Sequence, residues 1–230
     1  MAGVNAALKI QGKPPMILTR DQCYIGTLID DLVTKGTNEP YRIMTSRSEY
    51  RLLHRQDNAD DRLTSVGFQV GLIPKQRLLD VEEKYRQVRQ EIRRLESTGV
   101  AESPALHDFL ERAGTTAVKG SARLCDLIRR PQIHYDDLAP LDPNRPSLAP
   151  AIREQVEIQL KYAGYLARQE RQVEEFRREE SRSLPSDLDY QSINGLRLEA
   201  RQKTCRKSVP FPLDRPDGFP ASVQRTSPSC

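Results

Sequence analysis

With 230 residues, 37% of them hydrophobic, the chain can hold one or two domains. Charged residues reach 30%, aromatics only 6%, and tryptophan is absent, which suits a mainly α, elongated protein better than a large compact enzyme core. The net charge of +4 permits polyanion binding without demanding it, and no apolar run approaches the ~20 residues needed to cross a bilayer.

Residues 1–10 predict a helix closed by Gly12 and the Pro14–Pro15 pair. The next apolar stretch, YIGTLIDDLVT over 24–34, fits a buried helix or a buried strand equally well. Its adjacent Asp30 and Asp31 do not share a helix face, so capping or pairing with nearby arginines suits them better than joint metal or acid chemistry.

Five arginines follow within residues 42–62. Glu39 precedes Pro40 and is therefore extended. Ser46 with Glu49 three residues on reads as a capping box, predicting a helix from that point. Such a helix would place Arg47, Arg51 and Arg55 on one face, with Arg42 just outside its start. A guanidinium row is permanently charged and bonds phosphate bidentately. The same spacing also describes a solvated, salt-bridged helix face.

Thr64 is placed to cap a short helix through Val70, ended by Gly71 and Pro74. Over 75–96, Leu78, Val81, Tyr85, Val88, Ile92 and Leu95 alternate by three and four, the rhythm of a packed helix seam, with Gly99 placed to end it. The repeat is too short for an independent coiled coil. Residues 97–120 read as a linker around a short helix at Leu106 to Arg112. Ser121 then caps a helix to about Arg130, where Pro131 stops it.

The longest predicted helix covers 151–182, with Ile158, Tyr162, Tyr165, Val173 and Phe176 on one apolar side. Lys161, Arg168 and Arg171 lie beside Tyr162 and Tyr165. Tyrosines flanked by cations can stack bases and hold phosphates. Tyrosines at this spacing also serve as core. Gly164 within the helix costs roughly 1 kcal/mol against alanine, which a close approach by another helix or by RNA would explain. Cysteines 23, 125, 205 and 230 form no CxxC pair, and His54, His107 and His134 are isolated, so no metal site is predicted.

From residue 204 the helical, charge-rich character gives way to a tail, 204–230, holding five of the 16 prolines and two of the four cysteines. It is expected to be disordered, and its abrupt start is what a shifted reading frame would produce.

Several stretches together carry a family resemblance. MAGVNAALK (1–9), YIGTLIDDLVTKGTNEPYRIMTSRSEYRLLHRQDNADDRLT (24–64), LIRRPQIHYDDLAPLDP (127–143), EQVEIQLKYAGYLARQ (154–169) and LPSDLDYQSINGLRLEARQK (184–203) resemble, in order, the C-terminal part of the flavoprotein subunit of the bacterial tRNA wobble-uridine modification enzyme, the glucose-inhibited division protein A family. The resemblance implies a helical C-terminal domain preceded, in residues 1–22, by a remnant of the flavin domain's last helix. An arginine-rich segment and packed helix at 23–96 would follow, then the 97–120 linker and a helical subdomain at 121–203.

It further implies a cytoplasmic enzyme that uses FAD and NADH, acts on tRNA with a GTPase partner subunit, and forms a homodimer. This chain carries no Gly-x-Gly-x-x-Gly turn, so neither cofactor is expected in it, and Cys23 and Cys125 match no catalytic cysteine of the family. The expectation is a tRNA-binding, partner-docking module that is not catalytic alone, gripping RNA through Arg42, Arg47, Arg51, Arg55, Lys161, Tyr162, Tyr165 and Arg168. Partner docking is expected to be weakened by loss of the family's closing helical module. A purely structural helical protein, or the inactive product of a broken gene, is the competing expectation.

Overall fold

A computed structural model of the chain describes residues 1–35 and 37–180. The expectations for the 184–203 stretch, the last residues of the longest helix and the tail lie outside these. The described residues are mostly helical, in line with the sequence. Helices α1 (Ala2–Ile10), α2 (Tyr24–Thr34), α3 (Ala59–Gln69), α4 (Lys75–Ser97), α5 (Pro104–Arg112), α6 (Leu124–Ile128) and α7 (Pro150–Glu180) are joined by loops and by two short strands, β1 (Gly99–Val100) and β2 (Ala122–Arg123). Contacts divide the chain into units at 1–170 and 171–230. In the second unit the described residues, 171–180, are helical, and Val173 is buried.

The core of the first unit grows from the α4 seam. Val81, Tyr85, Val88 and Leu95 are buried at the spacing that brings one helix face inward. Val88 and Leu95 join Leu106, Phe109 and Leu110 of α5, Leu124, Leu127 and Ile128 of α6, and Ile152, Val156 and Leu160 of α7 in one cluster. Ser103 starts α5 by accepting a bond from the Leu106 amide at 3.2 Å, with Pro104 at the first helical position. The expected linker therefore contributes its helix to the core.

Gly99 does not end α4. Thr98 leaves the helix in an extended conformation, and Gly99 pairs with Arg123 and Val100 with Ala122 in an antiparallel ribbon. That ribbon also shifts the next helix. Ser121 was expected to cap it, but Ala122 and Arg123 are strand, and α6 runs only from Leu124 to Ile128.

The ambiguous 24–34 stretch is helical, with Gly26, Thr27 and Asp31 buried. Gly26 explains how closely α2 packs on the preceding chain: a Cβ built there would lie 2.1 Å from the Thr19 carbonyl oxygen. Helix α3 starts earlier than expected, so Thr64 lies inside it, buried, and Asn58 occupies the N-cap position. The Asp60 carboxylate accepts from the Tyr85 hydroxyl at 2.7 Å and from Lys84 Nζ at 2.8 Å, tying the start of α3 to α4. Past its end, Gly71 turns the chain at φ +80°, a conformation glycine adopts without strain.

Candidate nucleic-acid interface

The expected arginine helix does not form. Residues 45–47 make a single 3-10 turn, Ser48 is extended, and turns carry the chain through residue 53. A long-range pair removes the capping box: the Glu49 carboxylate accepts from Arg20 Nη2 at 2.7 and 2.9 Å and is not available to cap Ser46. Arg20 also pairs with Asp30 and lies 3.6 Å from Asp31. Burial pulls the Arg20 guanidinium's pKa down, but the Glu49 and Asp30 carboxylates outweigh it and hold the charge firmly. Asp31, in turn, accepts from Lys35 and from the Tyr41 hydroxyl, each at 2.7 Å. Its burial opposes ionisation, yet these two partners keep the carboxyl below the usual range. The Asp30–Asp31 pair is thus occupied in holding basic side chains.

Arg47, Arg51 and Arg55 therefore share no helix face. Arg47 stacks on the Tyr41 ring, its Cζ 4.5 Å from the centroid. Arg42, Arg47 and Arg51 are exposed, and Arg42 and Arg51 make no ion pair or hydrogen bond among the described residues. Arg55 is half-buried and committed. Its Nε and Nη2 donate to the Asp57 carboxylate at 2.9 and 3.1 Å, and Nη1 donates to the Leu52 carbonyl at 2.6 Å.

A different geometry brings this segment to the second predicted region. Gln155 of α7 donates to the Asp57 carbonyl at 3.0 Å, Arg55 Cζ lies 5.5 Å from the Tyr162 ring centroid, and Gln169 donates to the Glu49 carbonyl at 3.1 Å. The chain from 49 to 57 thus runs antiparallel to α7, pinned at three points, with exposed Arg51 between the second and third. Ser48, Tyr50 and His54 face inward and fix the segment from below. Ser48 Oγ and His54 Nδ1 are 3.1 Å apart, and Tyr24 meets the His54 ring edge-on.

The buried side of α7 is only partly the one expected: Val173 is buried, but the two tyrosines are not. Ile152, Val156 and Leu160 are in the core, whereas Tyr162 and Tyr165 are 40% and 59% exposed. Ile152, Val156 and Leu160 recur every four residues on a face about two residues, or roughly 200°, round the helix from Ile158 and Tyr162, so both rings turn away from that core. Their centroids are 6.4 Å apart and tilted by 55°. Lys161 is half-buried, donating to Glu157 at 2.8 Å and approaching the Pro131 carbonyl at 3.4 Å. Glu157 also accepts from the Tyr135 amide at 3.1 Å and lies 2.8 Å from His134 Nδ1. Arg168 is exposed and has no such partner among the described residues.

Of the eight predicted residues, the structure joins Arg55 and Tyr162 directly and sets Tyr165 and Arg168 on the same helix. Sequence reasoning missed Gln155, Asp57 and Gln169, which make the junction. Nothing in their local sequence marks a contact spanning about a hundred positions.

Among the described residues no three His, Cys, Asp or Glu side chains come together as a metal site, and no helix is long and apolar enough to cross a membrane. The described residues offer no cradle for FAD or NADH. The described residues hold only two antiparallel two-residue strands, without the parallel strand–helix turn that cradles a pyrophosphate.

Two family models match: the MnmG/GidA tRNA modifying enzyme C-terminal helical domain over residues 75–170, and the C-terminal helical bundle of the same enzymes over 172–206. The chain belongs to the MnmG/GidA family, in its C-terminal helical region. It is 52% identical over 203 residues to the tRNA uridine 5-carboxymethylaminomethyl modification enzyme MnmG of Lachnoclostridium phytofermentans, and 46% identical to that of Geobacillus kaustophilus. In both cases 88% of this chain is aligned with 32% of the relative, so it spans about a third of the length of the curated relatives it matches. Aquifex aeolicus GidA has the same fold: its form II crystal superposes with a TM-score of 0.69 at 37% identity, over 89% of this chain and 32% of that one. The form I crystal gives 0.66 at 38% identity, with 89% and 31% coverage.

Proposed function

We propose that this chain is a tRNA-holding module of the wobble-uridine modification enzyme, without catalytic activity of its own. The observation that carries this reading is the laying of residues 49–57 along α7, which joins two separately legible basic and aromatic stretches into one surface. Arg42, Arg47, Arg51 and Arg168 supply exposed cations for phosphate, while Tyr162 and Tyr165 offer rings on which bases can stack. Arg55 and Lys161 hold the surface in shape through Asp57 and Glu157.

The names of its relatives supply the substrate class, tRNA, and the uridine chemistry, which this reading assigns to residues outside this chain. The GTPase partner subunit, the homodimer and the cytoplasmic setting belong to the same proposal, as parts of the family's assembly.

Fluorescence anisotropy with a tRNA transcript across a salt series tests the reading. Binding should weaken linearly on a log–log plot, and Arg51→Ala and Arg168→Ala should each lower the slope by about 1. Salt-independent binding, or variants indistinguishable from the unsubstituted chain, would overturn it.

A further inference from the structure

On an α-helix, residues at i, i+3, i+4 and i+7 enclose one patch of surface. In α7 these positions are Lys161, Gly164, Tyr165 and Arg168. Three corners carry long side chains, and the fourth carries none. A Cβ built on Gly164 meets nothing within 4 Å, so no other described element covers it. The helix-weakening glycine therefore has no packing explanation among the described residues. It leaves a notch in the row of side chains between Lys161 and Arg168.

The walls of this notch differ in chemistry. Tyr165 is 59% exposed, and the Tyr162 ring flanks it 6.4 Å away. Tyr162 is itself steadied by Arg55, whose guanidinium is clamped by Asp57 and the Leu52 carbonyl. Lys161 is drawn back to Glu157, leaving Arg168 as the uncommitted cation at the rim. A flat aromatic wall, an open floor and a single free guanidinium match a nucleobase with its phosphate. They match a packing protein helix poorly, since that would favour aliphatic walls and no cation.

We propose that Lys161, Gly164, Tyr165 and Arg168 form a seat for one unpaired nucleotide, its base stacked on Tyr165 over Gly164 and its phosphate held by Arg168. The inference rests on the RNA-binding reading and narrows it: α7 recognises a loop or bulge, not a duplex. Bases within an A-form stem are stacked on one another and offer no free face, whereas splayed loop bases do. Arg55 is a positioning residue in this arrangement.

Anisotropy titrations with two RNAs test the seat: a labelled anticodon stem-loop, and a blunt duplex of the same stem sequence. The unsubstituted chain should prefer the stem-loop. Tyr165→Ala should weaken the stem-loop complex about tenfold, the loss of one stacked base, and leave duplex affinity nearly unchanged. Tyr165→Phe should retain binding. Gly164→Met should fill the notch and weaken stem-loop binding by a similar factor while raising the melting temperature, because glycine disfavours helix. A structural role for Gly164 would move the two readouts together. Normal stem-loop binding by Tyr165→Ala and Gly164→Met, with Arg168→Ala still impaired, would overturn the seat and leave RNA binding standing. Concentration-dependent self-association abolished by Gly164→Met, with RNA affinity intact, would likewise overturn it in favour of a helix partner. Failure of the unsubstituted chain to bind either RNA would overturn both readings.

Discussion

Arg55 and Tyr162, 107 positions apart in sequence, meet with the guanidinium carbon 5.5 Å from the ring centroid, and the arginine is held there by Asp57. The contact matters because Arg55, a predicted phosphate ligand, already spends its charge inside the protein on a carboxylate in a bidentate pair. Asp57 is partly buried, which by itself favours the neutral carboxyl, but the Arg55 pair and Gln155 outweigh burial and hold it below the usual carboxylate range.

Arg55→Ala should accordingly destabilise the chain by about 1–3 kcal/mol, the usual cost of losing a charge-assisted hydrogen-bonded partner at a half-buried site. Urea unfolding measures it. Because the Asp57 pKa is depressed on folding, its contribution is present above about pH 4 and lost as pH falls through the folded value. That acid-dependent share should shrink in the variant. An unchanged midpoint at neutral pH would show that the pair does not anchor the 49–57 segment.

Gly26→Ala should be costly for a different reason. The added methyl would sit 2.1 Å from the Thr19 carbonyl oxygen, which is backbone and cannot swing aside. Overpacking of this kind costs about 1–3 kcal/mol, and more where the backbone must move. Gly3→Ala is the matched control: a Cβ there meets nothing within 4 Å, so the change in α1 should stabilise by up to about 1 kcal/mol. Thermal melts of the two variants should move in opposite directions.

These elements also show where the sequence was readable. The α4 seam was legible because burial on one face leaves a periodic apolar trace, and Val81, Tyr85, Val88 and Leu95 are buried at those positions. The arginine segment misled because its period lay in charge, with no matching apolar stripe. Its true burial, at Ser48, Tyr50 and His54, sustains no helical stripe because Ser48 and Tyr50 are two residues apart, and its capping glutamate was taken by Arg20 from 29 residues away. The tyrosines of α7 were read as neighbours of Lys161, Arg168 and Arg171, whereas the cation that meets Tyr162 is Arg55 from far away in sequence, and which side faced the core depended on where the α4–α6 packing met the helix. Short-range pattern carries the elements, while the surface depends on long-range polar contacts that leave no local trace.

His54 gives the chain a pH dependence in a window separate from its carboxylates. It is 4% exposed beneath the arginine segment, with Ser48 at Nδ1 and Tyr24 against its ring edge. Burial depresses its pKa below 6.5; the nearby Arg62 charge acts in the same direction, while Asp21 and Glu49 oppose it. A depressed folded-state pKa means that His54 contributes its full stability above about 6.5 and loses it as pH falls through the folded value. Unfolding midpoints should therefore fall between about pH 7 and pH 5, before carboxylate protonation begins. In His54→Gln that slope should flatten. An equal slope in both proteins would assign the titration to another group.

Glu91 tests how much the core depends on a buried charge. Although 3% exposed on the inner side of α4, it is fully partnered: the Tyr135 hydroxyl donates to it at 2.8 Å, and Arg94 donates at 2.7 and 2.9 Å. Arg94 reaches on to the equally buried Asp142 at 2.6 and 3.2 Å, so one guanidinium joins two carboxylates across 48 residues. Removing one member of such a set leaves the others desolvated without compensation. Glu91→Ala should cost about 3–5 kcal/mol, whereas Tyr135→Phe, which removes one hydroxyl and leaves the Arg94 pair intact, should cost about 1 kcal/mol. A double-mutant cycle between Glu91→Ala and Tyr135→Phe should show coupling, because the hydroxyl has no acceptor once the carboxylate is gone. Strict additivity would mean that the Tyr135 hydroxyl finds water when Glu91 is absent, and that this part of the core is more open than its packing indicates.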